Sequence, residues 1–568
     1  MPLSHEDILT RLLDEHLWPE DAAETYSQVA SLAIRLAANC CMVSETVQHY
    51  LSQHLVEIRS FITIDNLAEV TIGLLANMVF ADNSAIELPL LLRMSFHERI
   101  AVQIANGIIA TDHPLFDTAL EILEALSEED VDTSVPNRMS TQMAMEQITS
   151  GVLTHNDFEQ DAFETLVRIL LRWASKRELR ATSRDLAKVY EATIQREDFD
   201  AGASDAEKSL VEPFESILGE LASERAVDPS ADVEDLVEPA NNWIKYSTTQ
   251  PNARQSRLCA TGFLFLCNLC NEAFAVTAVQ KLSLHNPTVA VLRDPAKRKV
   301  MEICTNAAAF LANLCQPKSN KQVILDTNIV SYLFYDAADV EPELSIKIMR
   351  RLVSGGFAPA AAAALDDERV GLPNFKHVVE QLPEQKALQD KISQKGIEGE
   401  TLGMQAPTKP GEQLTKDIAH IFVDIRRHTD AVTALITPKL VWALFNTILL
   451  GLKTRNAFDT SEGVFGLGLA LQGEEQHVER LALEAIEAIT RNDGLAACRQ
   501  IMEARKSENN EVARKVAENA MSILVRLVHI GERKAMPTDL MESLRDVLNL
   551  GLQGTEATQA EGAQSSAA

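Results

Sequence analysis

Aromatic residues are scarce in this sequence. Phe, Trp and Tyr together make up 5% of its 568 residues. β-Sandwiches and barrels are built from strands rich in aromatic and β-branched residues, so this scarcity argues against them and favours helices rich in Leu and Ala. Hydrophobic residues still amount to 46% of the chain, which is enough for an extensive core.

Apolar runs long enough to cross a bilayer are missing as well. The stretch MPLSHEDILT at the start of the sequence is polar and lacks the apolar centre of a signal peptide. The eight cysteines are scattered in apolar windows, which indicates reduced thiols and not a disulfide framework. We therefore expect no integral membrane association and a cytoplasmic location, with the nucleus as a second compartment.

Positive charge is in short supply. The chain has 52 Lys and Arg against 82 Asp and Glu, a formal net charge of −30. Proteins that bind nucleic acid carry a basic footprint, so this balance argues against a nucleic-acid partner and favours basic protein partners. The basic run RDPAKRK at 293–299 is interpreted as a solvated connector within an acidic chain.

Catalytic and metal-binding motifs are absent. Cys267 and Cys270 form a CxxC, but no second CxxC supplies the remaining ligands of a zinc site. The adjacent Cys40 and Cys41 likewise give no indication of a metal or redox site. No P-loop, GxSxG or HExxH pattern occurs, and the Gly-rich stretch 463–473 indicates close helix packing. The sequence therefore predicts a protein that is not an enzyme, without catalytic residues, metal or cofactor.

Helical periodicity is present almost throughout the chain. Apolar residues recur at i, i+3, i+4 and i+7, for example over 67–80, 161–174 and 515–530, and strand-like alternation is rare. Short breaks rich in Pro, Asn, Asp and Gly separate these windows. The pattern predicts an all-α protein of many short and medium helices.

One six-residue pattern repeats. FLCNLC at 265–270 has a near copy, FLANLC, at 310–315, and LAANCC at 36–41 is followed by LLANMV at 74–79. The copies in the two pairs start 45 and 38 residues apart, so the period is near 40 residues. A polar break and a second apolar helix follow the copies. A degenerate copy at 442–453 adds one Trp–Asn pair. The residues that these copies single out are Asn39, Asn77, Asn268, Asn313, Trp442 and Asn446.

These repeats resemble armadillo repeats, whose third helix carries a similar aLxNLa pattern. The resemblance implies a right-handed armadillo/HEAT-like superhelical solenoid in which third helices line a groove. It also implies that the six residues above belong to a partner-binding groove. The residues themselves leave a second role open, because a buried amide must be satisfied and each Asn could instead tie adjacent repeats together.

In length, acidity and repeat style the chain resembles the small-GTPase dissociation stimulators among armadillo proteins. That resemblance implies a non-enzymatic scaffold that binds Rho- or Rap-type GTPases with basic C-termini as exchange factor or chaperone. The alternative is an armadillo adaptor or chaperone for other basic proteins, including nuclear-import cargo. Import adaptors carry Trp–Asn pairs along their third helices, and this chain has one such pair, with Trp442 one helical turn before Asn446.

The same patterns divide the chain into six segments. These are N-terminal armadillo-like repeats at 1–190, an acidic insertion or irregular repeat at 191–250, central repeats at 251–390, a flexible insertion at 391–415, C-terminal repeats at 416–553, and a disordered tail at 554–568.

Overall fold

The structure is a computed structural model, and it describes most of the chain. The described residues are 23–81, 86–129, 135–154, 158–175, 183–196, 205–227, 234–246, 252–330, 333, 342–365, 372–380, 382, 384–394, 410–428, 436–472, 475–504 and 511–565.

All regular secondary structure in these described ranges is helical. In chain order the helices are α1 Ala23–Cys41, α2 Glu45–Ser52, α3 Leu55–Ile62, α4 Asp65–Val79, α5 Leu88–Arg93, α6 Phe96–Ala105, α7 Phe116–Glu128, α8 Val135–Thr154, α9 Gln160–Ala174, α10 Ser183–Gln195, α11 Asp205–Val227, α12 Glu234–Tyr246, α13 Ala253–Leu269, α14 Glu272–Gln280, α15 His285–Arg293, α16 Pro295–Arg298, α17 Met301–Leu314, α18 Lys318–Leu325, α19 Pro342–Val353, α20 Ala358–Leu365, α21 Leu372–Glu380, α22 Gln385–Gln394, α23 Pro410–Arg426, α24 Pro438–Lys453, α25 Ala457–Ala470, α26 Glu475–Thr490, α27 Gly494–Ala504, α28 Glu511–Arg533 and α29 Thr538–Ser565.

Local sequence explains where these helices begin. The motif helix α13 is followed by Asn271, whose side chain accepts a hydrogen bond from the Phe274 backbone N–H and so caps α14. Thr437 caps α24 in the same way, and Asn456 caps α25. At these three helices the polar break before the helix therefore supplies its N-cap.

The chain divides into two compact units, Met1–Leu269 and Cys270–Ala568. In the first unit, helices pack in two rows, and each helix contacts its neighbours along the row and across it. We call the row that contains the repeated motif row one; it consists of α1, α4, α7, α9, α11 and α13. The second row consists of α3, α6, α8, α10 and α12.

The second unit is built in the same way. Its row one consists of α17, α19, α23, α25 and α28, each packed against the next. Helices α22, α24 and α26 form part of its second row, and α14, α18 and α20 form another part. Contacts between near neighbours in the chain are typical of a helical solenoid, so the predicted all-α armadillo/HEAT-like solenoid class is confirmed within each unit.

The repeat length is visible in the polar contacts between helices. Arg168 pairs with Glu124, 44 residues earlier, and Trp442 donates a hydrogen bond to Glu484, 42 residues later. Asn320 donates to the Ala275 carbonyl across 45 residues. These separations agree with the period of about 40 residues that the motif copies show.

Three of the predicted segments contain described helices or lie partly outside the described residues. The acidic segment 191–250 contains α11 and α12, and α11 packs in row one between α9 and α13. Residues 395–409 of the predicted insertion 391–415 lie outside the described residues. Helix α29 continues to Ser565, through most of the segment 554–568 whose composition predicts disorder. Among the described residues, no helix combines the length and the apolarity that crossing a membrane requires.

None of the eight cysteines, all of which lie in the described ranges, forms a disulfide, and five of them are buried. Cys267 lies in the last turn of α13 and Cys270 directly follows that helix; both are half-buried, and burial raises the pKa of Cys270 to about 12. A thiol with so high a pKa is a poor nucleophile and a poor metal ligand at neutral pH. The described residues also contain no group of three or more His, Cys, Asp or Glu side chains placed to hold a metal ion.

Buried His97 makes the stability of the first unit depend on pH. Its Nε2 lies 3.0 Å from the Thr141 hydroxyl, and its ring meets the edge of Trp173. Burial lowers the pKa of His97 to about 3, below the value of about 6.5 for an exposed His. The unfolded chain therefore binds a proton below pH 6.5 that the folded chain does not bind, and stability falls as pH drops from 6.5 toward 3.

We expect wild type to lose about 2 kcal/mol relative to His97→Gln between pH 8 and pH 5, because only the wild type carries this linked protonation. Urea unfolding of both proteins at the two pH values measures the difference. A wild-type-minus-variant difference that stays constant with pH contradicts the prediction.

Candidate partner-binding face

Asn77 joins two helices of row one. It lies near the C-terminal end of α4, and its Nδ2 donates a hydrogen bond to the carbonyl of Ala38 on α1 at 3.0 Å. Ala38 is in the last turn of α1, where carbonyls lack a partner within the helix. The amide of one motif copy thus hydrogen-bonds a backbone carbonyl within the preceding copy. Asn77 therefore ties two adjacent repeats together, which is the second role that the sequence left open.

Asn268 makes the corresponding contact at the other end of the first unit. Its Nδ2 lies 3.5 Å from the carbonyl of Gly219 on α11, at the long limit for a hydrogen bond. A Cβ added to Gly219 would lie only 3.1 Å from this Nδ2, so glycine provides the space for the amide. The observed role of Asn268 is therefore a contact between α13 and α11, and its predicted place in a partner-binding groove stays a prediction.

Asn39 and Asn313 remain more open to a partner. Asn39 is exposed on α1, the first described helix of row one. Asn313 is half-buried on α17, and its Oδ1 accepts a hydrogen bond from Gln316 at 3.3 Å. A partner contact by these two amides remains a proposal.

Trp442 and Asn446 are placed differently from the other four residues. They lie on α24, which packs in the second row of its unit, and their exposed fractions are 2% and 0%. Trp442 Nε1 donates to Glu484 at 2.8 Å, and Asn446 Nδ2 donates to the Gln385 carbonyl at 3.0 Å. Both side chains are therefore buried in this structure, and their predicted place in a partner-binding groove stays a prediction. The physical reason for the burial is that both faces of α24 are covered by neighbouring helices.

A variant at Asn77 tests the inter-helix role. We expect Asn77→Ala to lower the free energy of unfolding of the first unit by about 1–2 kcal/mol, because the Ala38 carbonyl loses its partner. The matched control is Asn39→Ala, whose amide is exposed and which should change stability by less than about 0.5 kcal/mol. Urea unfolding monitored by circular dichroism measures both. Equal losses for the two variants would contradict the assigned role.

Helix α7 of row one presents a strip of carboxylates. The helix carries no basic residue, and its acidic residues follow the spacing i, i+4, i+7 and i+11. This spacing places them on one face of the helix, while Leu120, Leu123 and Leu126 are buried on another. We call the following set the acidic strip: Asp117, Glu121, Glu124 and Glu128.

Only part of the acidic strip is neutralised within the chain. Arg168 on α9 lies 3.0 Å from Glu124, and Arg172 lies 3.2 Å from Glu128. Asp117 and Glu121 are exposed and have no ionic partner among the described residues. On the preceding row-one helix α4, exposed Asp65 adds a further carboxylate to this row. The first unit therefore offers unpaired negative charge on rigid helices.

Row one of the second unit has a different electrostatic character. Arg350 lies 2.9 Å from Asp424, and Arg427 bridges Asp424 at 3.4 Å and Glu462 at 2.7 Å. Positive and negative groups alternate from α19 through α23 to α25, so these charges largely satisfy one another. On α7, by contrast, Asp117 and Glu121 have no such partner among the described residues.

Sequence reasoning passed over the acidic strip. In the sequence, the segment ALEILEALSEED at 119–130 resembles only a degenerate copy of the motif. The signal that could have identified the strip is the helical spacing of its four carboxylates within a helix without Lys or Arg. The asparagines, by contrast, were found because an amide recurring in an apolar pattern is conspicuous.

Comparisons with known proteins give structural similarity only. No family model matches the chain, and no curated protein matches it either. A structure of the beta-catenin–cadherin interaction is 13% identical, covers 92% of this chain and 99% of its own, and has a TM-score of 0.41. The SYS-1 structure is 12% identical over 92% and 99% of the two chains, with a TM-score of 0.40. Kap121p bound to Pho4p is 12% identical over 98% and 76%, with a TM-score of 0.23. At these scores no argument about function is based on the similarity.

Proposed function

We propose that this protein is a non-enzymatic scaffold that binds a basic segment of a protein partner on row one of its first unit. The observation that carries the proposal is the acidic strip, with exposed Asp117 and Glu121 unpaired on a helix held rigidly between α4 and α9. Helical solenoids present such helix rows as extended binding surfaces. The net charge of −30 also favours the approach of basic partners.

The chemistry of the strip fits Lys and Arg side chains. Successive carboxylates on one face of an α-helix lie about 5–6 Å apart, which is within reach of neighbouring long basic side chains on an extended segment. The buried side of α7 fixes the helix backbone, so a partner meets Asp117 and Glu121 at a fixed spacing. Because the strip is exposed, the affinity should fall as salt is added.

The partner class that fits best is a small GTPase of the Rho or Rap type with a basic C-terminal tail. This proposal rests on the resemblance to the dissociation stimulators and on the charge of the strip. In it, the strip holds the tail while the GTPase domain contacts the scaffold, which acts as exchange factor or chaperone. The nuclear-import alternative loses its motif support, because Trp442 and Asn446 are buried.

Charge reversal tests the proposal. We expect Asp117→Lys with Glu121→Lys to weaken binding of a Lys-rich GTPase tail peptide about 10- to 100-fold, because two attractive contacts become repulsive. Fluorescence anisotropy of the labelled peptide measures the affinity. Release of fluorescent GDP from the intact GTPase measures exchange in parallel.

The matched control is Glu542→Lys with Asp546→Lys on α29. Both control residues are exposed, they are also four positions apart, and the change in net charge is identical. The control should leave affinity within about threefold of wild type. If both double variants weaken binding equally, or if the wild-type protein does not bind the tail, the proposed function is wrong.

A further inference from the structure

Helix α22 of the second unit packs on its neighbours through a polar inner face. Gln385 and Gln389, one helical turn apart, are 1% and 0% exposed, and Ile392 is buried beside them. Gln389 Nε2 donates hydrogen bonds to the carbonyls of Ala488 and Arg491, each at 2.9 Å, in the last turn of α26 and just after it. Helices of a core normally bury apolar stripes, so two glutamines at inner positions set α22 apart.

Ion pairs and a cation–π contact hold the rest of α22. Lys386 Nζ lies 2.8 Å from Glu487 Oε1 on α26 and 5.1 Å from the centre of the Trp442 ring on α24. Asp390 accepts two hydrogen bonds from the Arg491 guanidinium group, each at 2.9 Å. All four charged side chains of these pairs are more than a third exposed, so salt screens their attraction. Water and salt can therefore replace much of what fastens α22.

Two buried acceptors at this contact are unsatisfied. Asn446 Nδ2 donates a hydrogen bond to the Gln385 carbonyl at 3.0 Å, but Asn446 Oδ1 has no hydrogen-bond partner among the described residues. The same holds for Gln389 Oε1. A buried acceptor without a donor destabilises the contact that buries it. The interface of α22 with α24 and α26 is therefore weaker than its close packing alone would indicate.

The surface under Lys386 has the chemistry of a lysine site. Trp442 offers the face of its ring, and Glu487 offers a carboxylate to the same ammonium group. Glu484, one turn before Glu487 on α26, accepts a hydrogen bond from Trp442 Nε1 at 2.8 Å and so fixes the ring. An aromatic face beside a carboxylate suits an ammonium group. Lys386 of the same chain fills this site and shows which side chain it accepts.

We propose that α22 is a latch whose Lys386 occupies this lysine site on α24 and α26, and that a Lys-rich segment of a partner binds the site when the latch opens. The site lies in the second unit and is distinct from the acidic strip, so the proposal goes beyond the proposed function. The polar contact makes α22 the element that opens before α24 and α26. Because the closed latch fills the site, the affinity of the wild-type protein there is reduced by the fraction of open molecules.

Hydrogen exchange of the full-length protein tests the opening. Relative to their intrinsic rates, amides of residues 388–394 should exchange at least about tenfold faster than those of residues 441–450 on α24. Raising NaCl from about 0.05 M to about 0.5 M should increase the rate on α22 further, because salt screens the two ion pairs. Exchange of α22 in step with α24 at both salt concentrations would overturn the latch.

Peptide binding tests the lysine site, and it is measured in the Asp117→Lys, Glu121→Lys background so that the acidic strip does not contribute. In that background, Lys386→Ala with Asp390→Asn should bind a fluorescent Lys-rich peptide at least about tenfold more tightly than the background alone, because both ion pairs of the latch are lost. Adding Glu487→Gln should remove this gain. The result does not depend on whether the strip binds the peptide.

The matched control is Lys515→Ala with Glu511→Gln on α28. This pair is also 2.8 Å apart and exposed, and neither pair of substitutions changes the net charge. The control should leave the affinity within about twofold of its background. Equal affinity of the opened variant and its background would overturn the latch. A gain that survives Glu487→Gln would place the peptide elsewhere and overturn the lysine site.

Discussion

Gly463→Ala should destabilise the second unit by about 2–4 kcal/mol, although it adds a single methyl group. Gly463 lies where α25 crosses α24, and an added Cβ would lie 2.9 Å from the Leu444 carbonyl oxygen and 3.0 Å from the Ile448 nitrogen. Both are backbone atoms of a fully packed helix, so they cannot move aside without displacing α24. Thermal and urea unfolding of the variant measure the loss.

Gly468→Ala is the matched control for this prediction. Gly468 lies on the same helix five residues later, and its Cβ would meet only Ile523 side-chain atoms at 3.7 Å and beyond. Alanine is the better helix former, so this variant should be stabilised by about 0.4–1 kcal/mol. Opposite signs at two glycines of one helix separate close packing from helix propensity. If both variants are stabilised, the close approach of the α24 and α25 backbones at Gly463 is contradicted.

Lys321→Met should lower the free energy of unfolding of the second unit by about 2–4 kcal/mol. The buried ammonium group donates hydrogen bonds to the Arg351 carbonyl and the Ser354 carbonyl, each at 2.6 Å, and to the Ser354 hydroxyl at 2.7 Å. Arg351 lies in the last turn of α19 and Ser354 directly follows the helix, and carbonyls at a helix C-terminus lack partners within the helix. Burial lowers the pKa of Lys321, so the charged group depends on these acceptors.

The control for Lys321 is its neighbour Lys318. Lys318 is exposed at the start of α18, so Lys318→Met should change stability by less than about 0.5 kcal/mol. Urea unfolding, with hydrogen exchange of residues 342–353 as a local readout, compares the two variants. Loss of protection at the end of α19 only in Lys321→Met is the expected result, and equal behaviour of the two variants contradicts it.

Periodicity was sufficient to predict the fold class. Apolar residues at helical spacing specify which face of each helix is buried, and four copies of one motif specify the repeat, because each copy packs on a similar neighbour. Asn77 and Asn268 show what the motif can and cannot predict. Their recurrence predicts an important amide, but the atom that each one contacts depends on which helix lies beside it.

The same limit applies to two motif residues that the structure buries. Trp442 and Asn446 fit the local pattern of a third helix, yet α24 packs in the second row and buries both. A six-residue pattern carries no information about the row in which its helix lies, since that depends on the lengths of neighbouring helices and connections. The acidic strip was missed for a related reason, because exposed carboxylates on a helix are common and only the structure shows which of them are unpaired.

The most direct measurement of the central proposal is hydrogen exchange of the full-length protein with and without a saturating Lys-rich GTPase tail peptide. The account predicts that residues 116–128 of α7 and the facing residues 65–79 of α4 exchange more slowly in the complex. Residues 438–470 of the second unit should be unchanged, and the effect should disappear in Asp117→Lys with Glu121→Lys. Protection confined to the second unit, or no protection anywhere at saturation, would contradict it.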